Sequence, residues 1–156
     1  MNAANKWLIG ALPAALISGA ALWEGTKYYA YKDIVGVPTV CSGYTGKDIV
    51  FGKKYSPQEC AAYLATELKE HSTGILKCIN VPINQNEYIA YSLFAYNVGV
   101  TGACKSTSIS LLNKNKRIEA CNALLNWSYA GGVWVRGLNN RRQYEAAICK
   151  KEPYVL

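Results

Sequence analysis

Seventeen consecutive residues near the amino terminus, Trp7 to Trp23 (WLIGALPAALISGAALW), carry no charge, and no other stretch constrains the chain as tightly. As a single helix the run would span about 26 Å, close to the lower limit for crossing the hydrocarbon layer of a membrane. Trp7 and Trp23 would then sit at the two interfaces, where indole rings are favoured. Only six of the seventeen are Leu or Ile, while eight are Ala, Gly or Ser, so insertion into lipid would be weak. A cleaved signal peptide is one reading, because Ser18-Gly19-Ala20 offers the small residues a signal peptidase prefers. A permanent anchor and a buried core helix are two others. The composition favours a segment, residues 1–23, that serves two purposes in turn. It first crosses the membrane, then leaves it and packs as the first helix of the domain formed by residues 24–156. Lys6 and the amino terminus suit a cytoplasmic start, whereas Lys27 and Lys32 beyond the run weaken that charge argument.

A length of 156 residues predicts one folded unit beyond that segment, able to bury about two-thirds of its unfolded surface. With 51% hydrophobic and 17% charged residues, the composition excludes a disordered chain. The net charge of +7 favours anionic polymers or surfaces. Nucleic acid is the weakest of these, since the basic residues are scattered and no recognition motif is present. Six cysteines, Cys41, Cys60, Cys78, Cys104, Cys121 and Cys149, include no C-x-x-C pair, and His71 is the single histidine. A zinc site needs clustered ligands, so neither metal nor cofactor is expected. Three disulfides formed in an oxidising compartment are expected instead, with reduced core cysteines the alternative, and the spacing leaves the pairing open.

Residues 24–33 are polar and aromatic. Residues 34–55 place Gly36, Pro38, Gly43, Gly46 and Gly52 among β-branched and aromatic residues, which predicts short strands and tight turns in a small antiparallel sheet. Ser56-Pro57-Gln58-Glu59 is a capping box with proline at the first helical position. The helix it opens carries Ala61, Leu64, Ala65 and Leu68 along one face, with a break expected at Ser72-Thr73-Gly74. A second helix runs from Asn86, presents Ile89, Leu93 and Tyr96, and ends at Gly99. Helices are expected at 107–114, 117–127 and 139–151, with a turn at Gly131-Gly132. A small sheet between an amino-terminal helix and a helical remainder gives an α+β fold, and the cleft between those parts is the natural site.

Glu24 follows directly on the apolar run, where an apolar wall would favour the protonated carboxyl that a general acid requires. Asp33 lies nine residues on, in a polar stretch where it should stay ionised, and the Thr39 hydroxyl lies six further. An acid on one face of a sugar and a second group on the other is what glycoside hydrolysis needs. By itself the spacing is weak, since two carboxylates this close are commonly a solvated surface pair.

The surrounding residues are more specific. EGTKYYAYKDIVGVPTVCSGYTG resembles the active-site segment of the phage lysozyme family, the glycoside hydrolases related to lambdoid and T-even phage endolysins. Its matching elements are Glu24-Gly25, Tyr31-x-Asp33, Gly36, Thr39 and Gly43. FAYNVGVTG at 94–102 resembles the family's helix across the cleft, and WSYAGGVWVRGLNNRRQYE at 127–145 its W-x-x-A-G-G…G-L-x-x-R-R-x-x-E signature. The resemblance implies a lysozyme-like fold and a muramidase that cleaves the β-1,4 bond between N-acetylmuramic acid and N-acetylglucosamine in peptidoglycan, with an inverting outcome expected. It implies Glu24 as general acid, Asp33 and Thr39 as positioners of the attacking water, and Tyr31, Gly43, Asn97, Arg141 and Arg142 as binding or supporting residues.

Two positions depart from that pattern. Cys41 stands where many relatives have glycine, and Tyr44 where many have histidine. Lying two residues beyond Thr39, Cys41 either influences the site through its thiol state or forms a plain structural disulfide. His71 is expected in a polar helix end, solvated.

The amino-terminal segment resembles that of signal-anchor-release endolysins, which are tethered and inactive at the inner membrane, facing the periplasm, and then freed as soluble enzyme. No cysteine precedes Cys41, so refolding of the helix, without thiol exchange, is the control that this resemblance implies. The expected partners are peptidoglycan strands and, through residues 7–23, the membrane; a monomer is expected. A lytic transglycosylase and a non-catalytic basic protein binding wall or lipid remain the alternatives.

Overall fold

A computed structural model of the chain describes residues 1–152. The apolar run does not form the single helix expected of it. Asn2 accepts the Ala4 N–H through its side chain and opens a 3-10 helix, Ala3–Ile9, after which the chain bends by 69° into α1, Ala14–Trp23. The bend lies at Pro13, which has no N–H to continue a helix and drives the residue before it toward extended backbone. Among the described residues no single helix is long and apolar enough to cross a membrane, although the bent pair together meets the length and composition. Leu8, Leu16, Gly19 and Ala20 are buried. Asn5, also fully buried, donates to the Val81 carbonyl and accepts the Ile83 N–H, which stitches the start of the chain to the loop before α3.

The small antiparallel sheet forms as expected. Strands β1, Lys27–Lys32, and β2, Pro38–Cys41, pair in a register that sets Tyr31 opposite Thr39. This lobe has its own small core of Val40, Cys41, Tyr55 and Cys60. The Ser56 capping box opens α2, Pro57–Leu76. Its buried stripe is Cys60, Leu64, Leu68, Ser72 and Ile75, whereas Ala61 from the expected face is exposed. The expected break at Ser72-Thr73-Gly74 is absent, because tertiary packing overrides local propensity there. Ser72 is fully buried, and Gly74 lets Val100 approach so closely that a Cβ would meet its Cγ2 at 2.8 Å.

Helix α3, Gln85–Val98, is opened by a second capping box, Asn84 with Glu87, and closed by Gly99 at φ +88°. Every residue from Glu87 to Ala95 is buried, so this helix is the axis of the larger lobe. Around it lie α4 (Val100–Cys104), α5 (Thr107–Asn113) and α6 (Arg117–Ala123), the last continued by a 3-10 turn, Leu124–Trp127. The hairpin of β3 (Tyr129–Ala130) and β4 (Val133–Trp134) turns at Gly131-Gly132, both at positive φ, and leads into α7, Arg136–Cys149, which starts three residues earlier than expected.

All six cysteines pair, as Cys41–Cys60, Cys78–Cys104 and Cys121–Cys149. For loops of 19 to 28 residues each bridge is worth about 3 kcal/mol through restriction of the unfolded chain. Cys41–Cys60 ties the sheet to α2, and Cys121–Cys149 ties α6 to α7.

Candidate active site

Glu24 is the residue at which α1 stops. Its own N–H still reaches the Ala20 carbonyl, and its extended backbone turns the chain toward β1. The apolar wall expected around its carboxyl is interrupted by a cation. Arg141 of α7 donates from Nη1 to Glu24 Oε1 at 3.1 Å and from Nη2 to the Trp23 carbonyl at 3.0 Å. One guanidinium therefore grips both the helix end and the side chain that follows it. The Glu24 side chain remains 28% exposed, so the carboxyl is held but open to solvent. Trp23 lies edge-on to Tyr144 of α7, with Arg141 over its ring, which supplies the apolar part of the surroundings.

Asp33 and Thr39 meet at one residue. Asp33 Oδ1 accepts the N–H groups of Val35 and Val37, both at 2.9 Å, while the Thr39 hydroxyl donates to the Val37 carbonyl at 2.9 Å. The Asp33 N–H also donates to that carbonyl. These bonds spend one oxygen of Asp33 and the hydroxyl proton of Thr39. Oδ2 of Asp33 and the lone pairs of Thr39 Oγ1 are left as acceptors. Tyr31, paired with Thr39 across the sheet, carries the Lys27 ammonium over its ring at 4.2 Å. Gly43, at φ +100°, belongs to the turn that lets Val40 and Tyr44 exchange backbone hydrogen bonds.

Asn97 of α3 and Arg142 of α7 meet where those two helices pack. Arg142 is fully buried over the Phe94 ring and donates from Nη2 to Asn97 Oδ1 and to Glu145 Oε1, both at 2.8 Å. Burial pushes the Glu145 carboxyl up to about 7, against the opposing pull of the Arg142 charge. Sequence reasoning reached Glu145 only as the last letter of a signature and assigned it no part.

Glu67 of α2 was missed altogether. It borders a narrow crevice, too tight to admit a water, with Ser42, Tyr44, Tyr63 and Tyr96. Burial holds its carboxyl above the usual range, Glu70 and Glu24 add to that, and His71 opposes it. Its i+4 spacing to His71 was the available signal. His71 itself is not in a polar helix end: it sits within α2, half-buried, edge-on to Tyr96, with Nδ1 on the Glu67 carbonyl. Tyr44 stacks on Tyr63, and both hydroxyls donate to Asp48. Those bonds hold Asp48 below its usual range and push Tyr44 up to about 12. Cys41 is taken up in its disulfide, leaving no thiol beside Thr39.

A helical body joined to a small sheet lobe, with one carboxyl at the junction and another on the lobe, is the architecture of a lysozyme-type glycosidase. The phage lysozyme family profile matches residues 21–145. The SAR-endolysin of Enterobacteria phage PA-2 is 42% identical over 126 residues, 81% of this chain and 76% of that protein. The SAR-endolysin of Pseudomonas phage phiKMV is 37% identical over 149 residues, covering 93% and 92%. Among solved structures, the endolysin from Escherichia coli O157:H7 phage FAHEc1 superposes with a TM-score of 0.81 at 29% identity, covering 94% of this chain and 97% of its own. The chain belongs to the phage lysozyme family and is an enzyme of that class, a muramidase.

Proposed function

We propose that the chain is an exported endolysin that hydrolyses the β-1,4 bond between N-acetylmuramic acid and N-acetylglucosamine, and that its first helix switches it on. Glu24 donates its proton to the glycosidic oxygen as the C1–O bond breaks. Arg141 then stabilises the carboxylate left behind. On the opposite face a water donates one hydrogen to Asp33 Oδ2 and the other to Thr39 Oγ1, which leaves a lone pair free to attack C1. As the new bond forms, Asp33 takes the water's proton, and the anomeric centre inverts. Exchange with solvent returns Glu24 to its acid form and Asp33 to its carboxylate.

The observation that carries the switch is that Glu24 caps α1 and is gripped by Arg141 together with the last carbonyl of that helix. While residues 7–23 lie in lipid, Trp23 and Glu24 cannot occupy that grip, and the cleft lacks its acid. Release to the periplasm lets the segment pack on α3 and the grip close. The two environments stabilise different positions of one segment.

The chemistry is tested with purified parent, Glu24→Gln and Asp33→Asn proteins on chloroform-treated Gram-negative cells, with mass spectrometry of the released muropeptides. Reducing ends without loss of water, and loss of clearing in both variants, are expected. Anhydro products with an active Asp33→Asn variant would establish a transglycosylase instead, and clearing by Glu24→Gln equal to the parent would remove catalysis as the activity. The switch is tested by fractionating expressing cells before and after an uncoupler. Full-length chain should move from the membrane to the soluble fraction; a shortened soluble chain at all times would mean a cleaved signal.

A further inference from the structure

We infer that Glu145 is a positioning residue for the sugar-binding amide of Asn97, acting through the buried Arg142 guanidinium. The inference rests on the muramidase reading and extends it by naming how one binding group is aimed.

Asn97 lies in the last turn of α3, where the fully buried stretch Glu87–Ala95 gives way to half-exposed residues. Its amide has an acceptor and a donor end, and rotation by half a turn would exchange them. Arg142 removes that freedom. A guanidinium only donates, so its 2.8 Å contact must fall on Oδ1. Nδ2, with its two N–H groups, is then turned away from Arg142 and has no partner among the described residues. A half-exposed amide fixed in this sense offers hydrogen-bond donors to hydroxyl or acetamido oxygens, the groups in which a glycan strand is rich.

Arg142 cannot hold itself in place. It is 0% exposed, and neither Nη1 nor Nε makes a well-aligned hydrogen bond among the described residues. Glu145, one turn further along α7 and 3% exposed, is the anion on the fork: Oε1 accepts from Nη2 at 2.8 Å, and Oε2 lies 2.8 Å from Nε. Nη2 thus serves Glu145 and Asn97 together. A shift of the carboxylate moves the same nitrogen that orients the amide. The neighbouring Arg141 grips Glu24, so adjacent arginines on one helix serve the acid and the amide separately.

The test is a double-mutant cycle on the full-length enzyme with soluble peptidoglycan fragments, reading KM and kcat separately. Asn97→Ala should raise KM roughly three- to tenfold, the worth of one or two neutral hydrogen bonds, with kcat changed by less than about twofold. Glu145→Gln should raise KM by a similar factor, and the pair together should be no worse than Asn97→Ala alone. A merely structural role would lower the melting temperature and give effects that multiply in the double variant, which would overturn the inference. An unchanged KM in Asn97→Ala would do so too. Should Glu145→Gln fail to fold, Glu145→Asp keeps the charge while drawing the carboxylate back by one methylene, and is read in the same cycle. A parent without turnover would sink the muramidase reading and this one together; an active parent with multiplicative variants sinks the positioning role alone.

Discussion

Helices α1 and α3 both lack a distinct polar face, yet the molecule uses them in opposite ways. Helix α3 is buried without interruption from Glu87 to Ala95, and its composition is fully explained by its place at the axis. Of the ten residues of α1 only Leu16, Gly19 and Ala20 are buried, while Ala14, Ala15, Ser18 and Ala21 face outward and Leu22 is 63% exposed. A helix that is hydrophobic all round belongs in a core or in a membrane. Helix α1 carries more apolar surface than its seat can use. That surplus fits a segment obliged to satisfy lipid as well as protein. Its small residues answer the second demand: a Cβ on Gly19 would meet Leu93 Cδ1 at 3.1 Å, so a stronger membrane helix would be a poorer core helix.

The contrast can be broken or sharpened at four points. The largest effect is expected from Leu16→Ala, which empties a fully buried position and should cost the folded enzyme about 2–5 kcal/mol; an unchanged calorimetric Tm would mean that α1 is not docked in the active form. Ala15 lies at the middle of the apolar run and faces solvent in the folded protein. Ala15→Lys should disfavour membrane insertion by about 3 kcal/mol while changing folded stability by less than about 0.5 kcal/mol, so chain should vanish from the membrane fraction and keep its specific activity once purified. Gly19→Leu should do the reverse, costing about 1–3 kcal/mol by overpacking against Leu93 and leaving more chain in the membrane after an uncoupler; normal release would show that the seat is loose.

The smallest effect concerns pH. The seat of α3 includes a buried charge pair, whereas the buried side of α1 has none. Burial raises Glu145 to about 7 from an ordinary 4.5, so ionising it to pair with Arg142 costs more in the folded state than in the unfolded chain. Stability from this source is full below pH 4.5 and is lost as pH rises toward 7. Melting temperature against pH should show the decline in the parent and a flatter line in Glu145→Gln.

Much of the framework was legible because it is written in local chemistry. Ser56 and Glu59 dictate a helix start, Gly99 a stop, and Gly131-Gly132 a hairpin, whatever surrounds them. Glu24 could be found because it is the first charge after a long uncharged run. What escaped notice depends on distant partners. Ser72-Thr73-Gly74 looks like a break until Val100 is seen to require Gly74, and Arg141 and Arg142 look alike until one reaches Glu24 and the other Asn97. The cysteine pairing and the burial of Glu145 are of the same kind, since neither exists before the helices have met. The bend at Pro13 was readable from proline alone, but the length of the run concealed it.

The bond from Arg141 to Glu24 joins positions 117 residues apart, with the carboxyl at the end of α1 and its clasp on α7. A ribosome must therefore pass residue 141 before any copy can complete the grip. Termination anywhere ahead of α7 yields fragments that lack the clasp, so translation itself withholds the completed grip from every shortened copy.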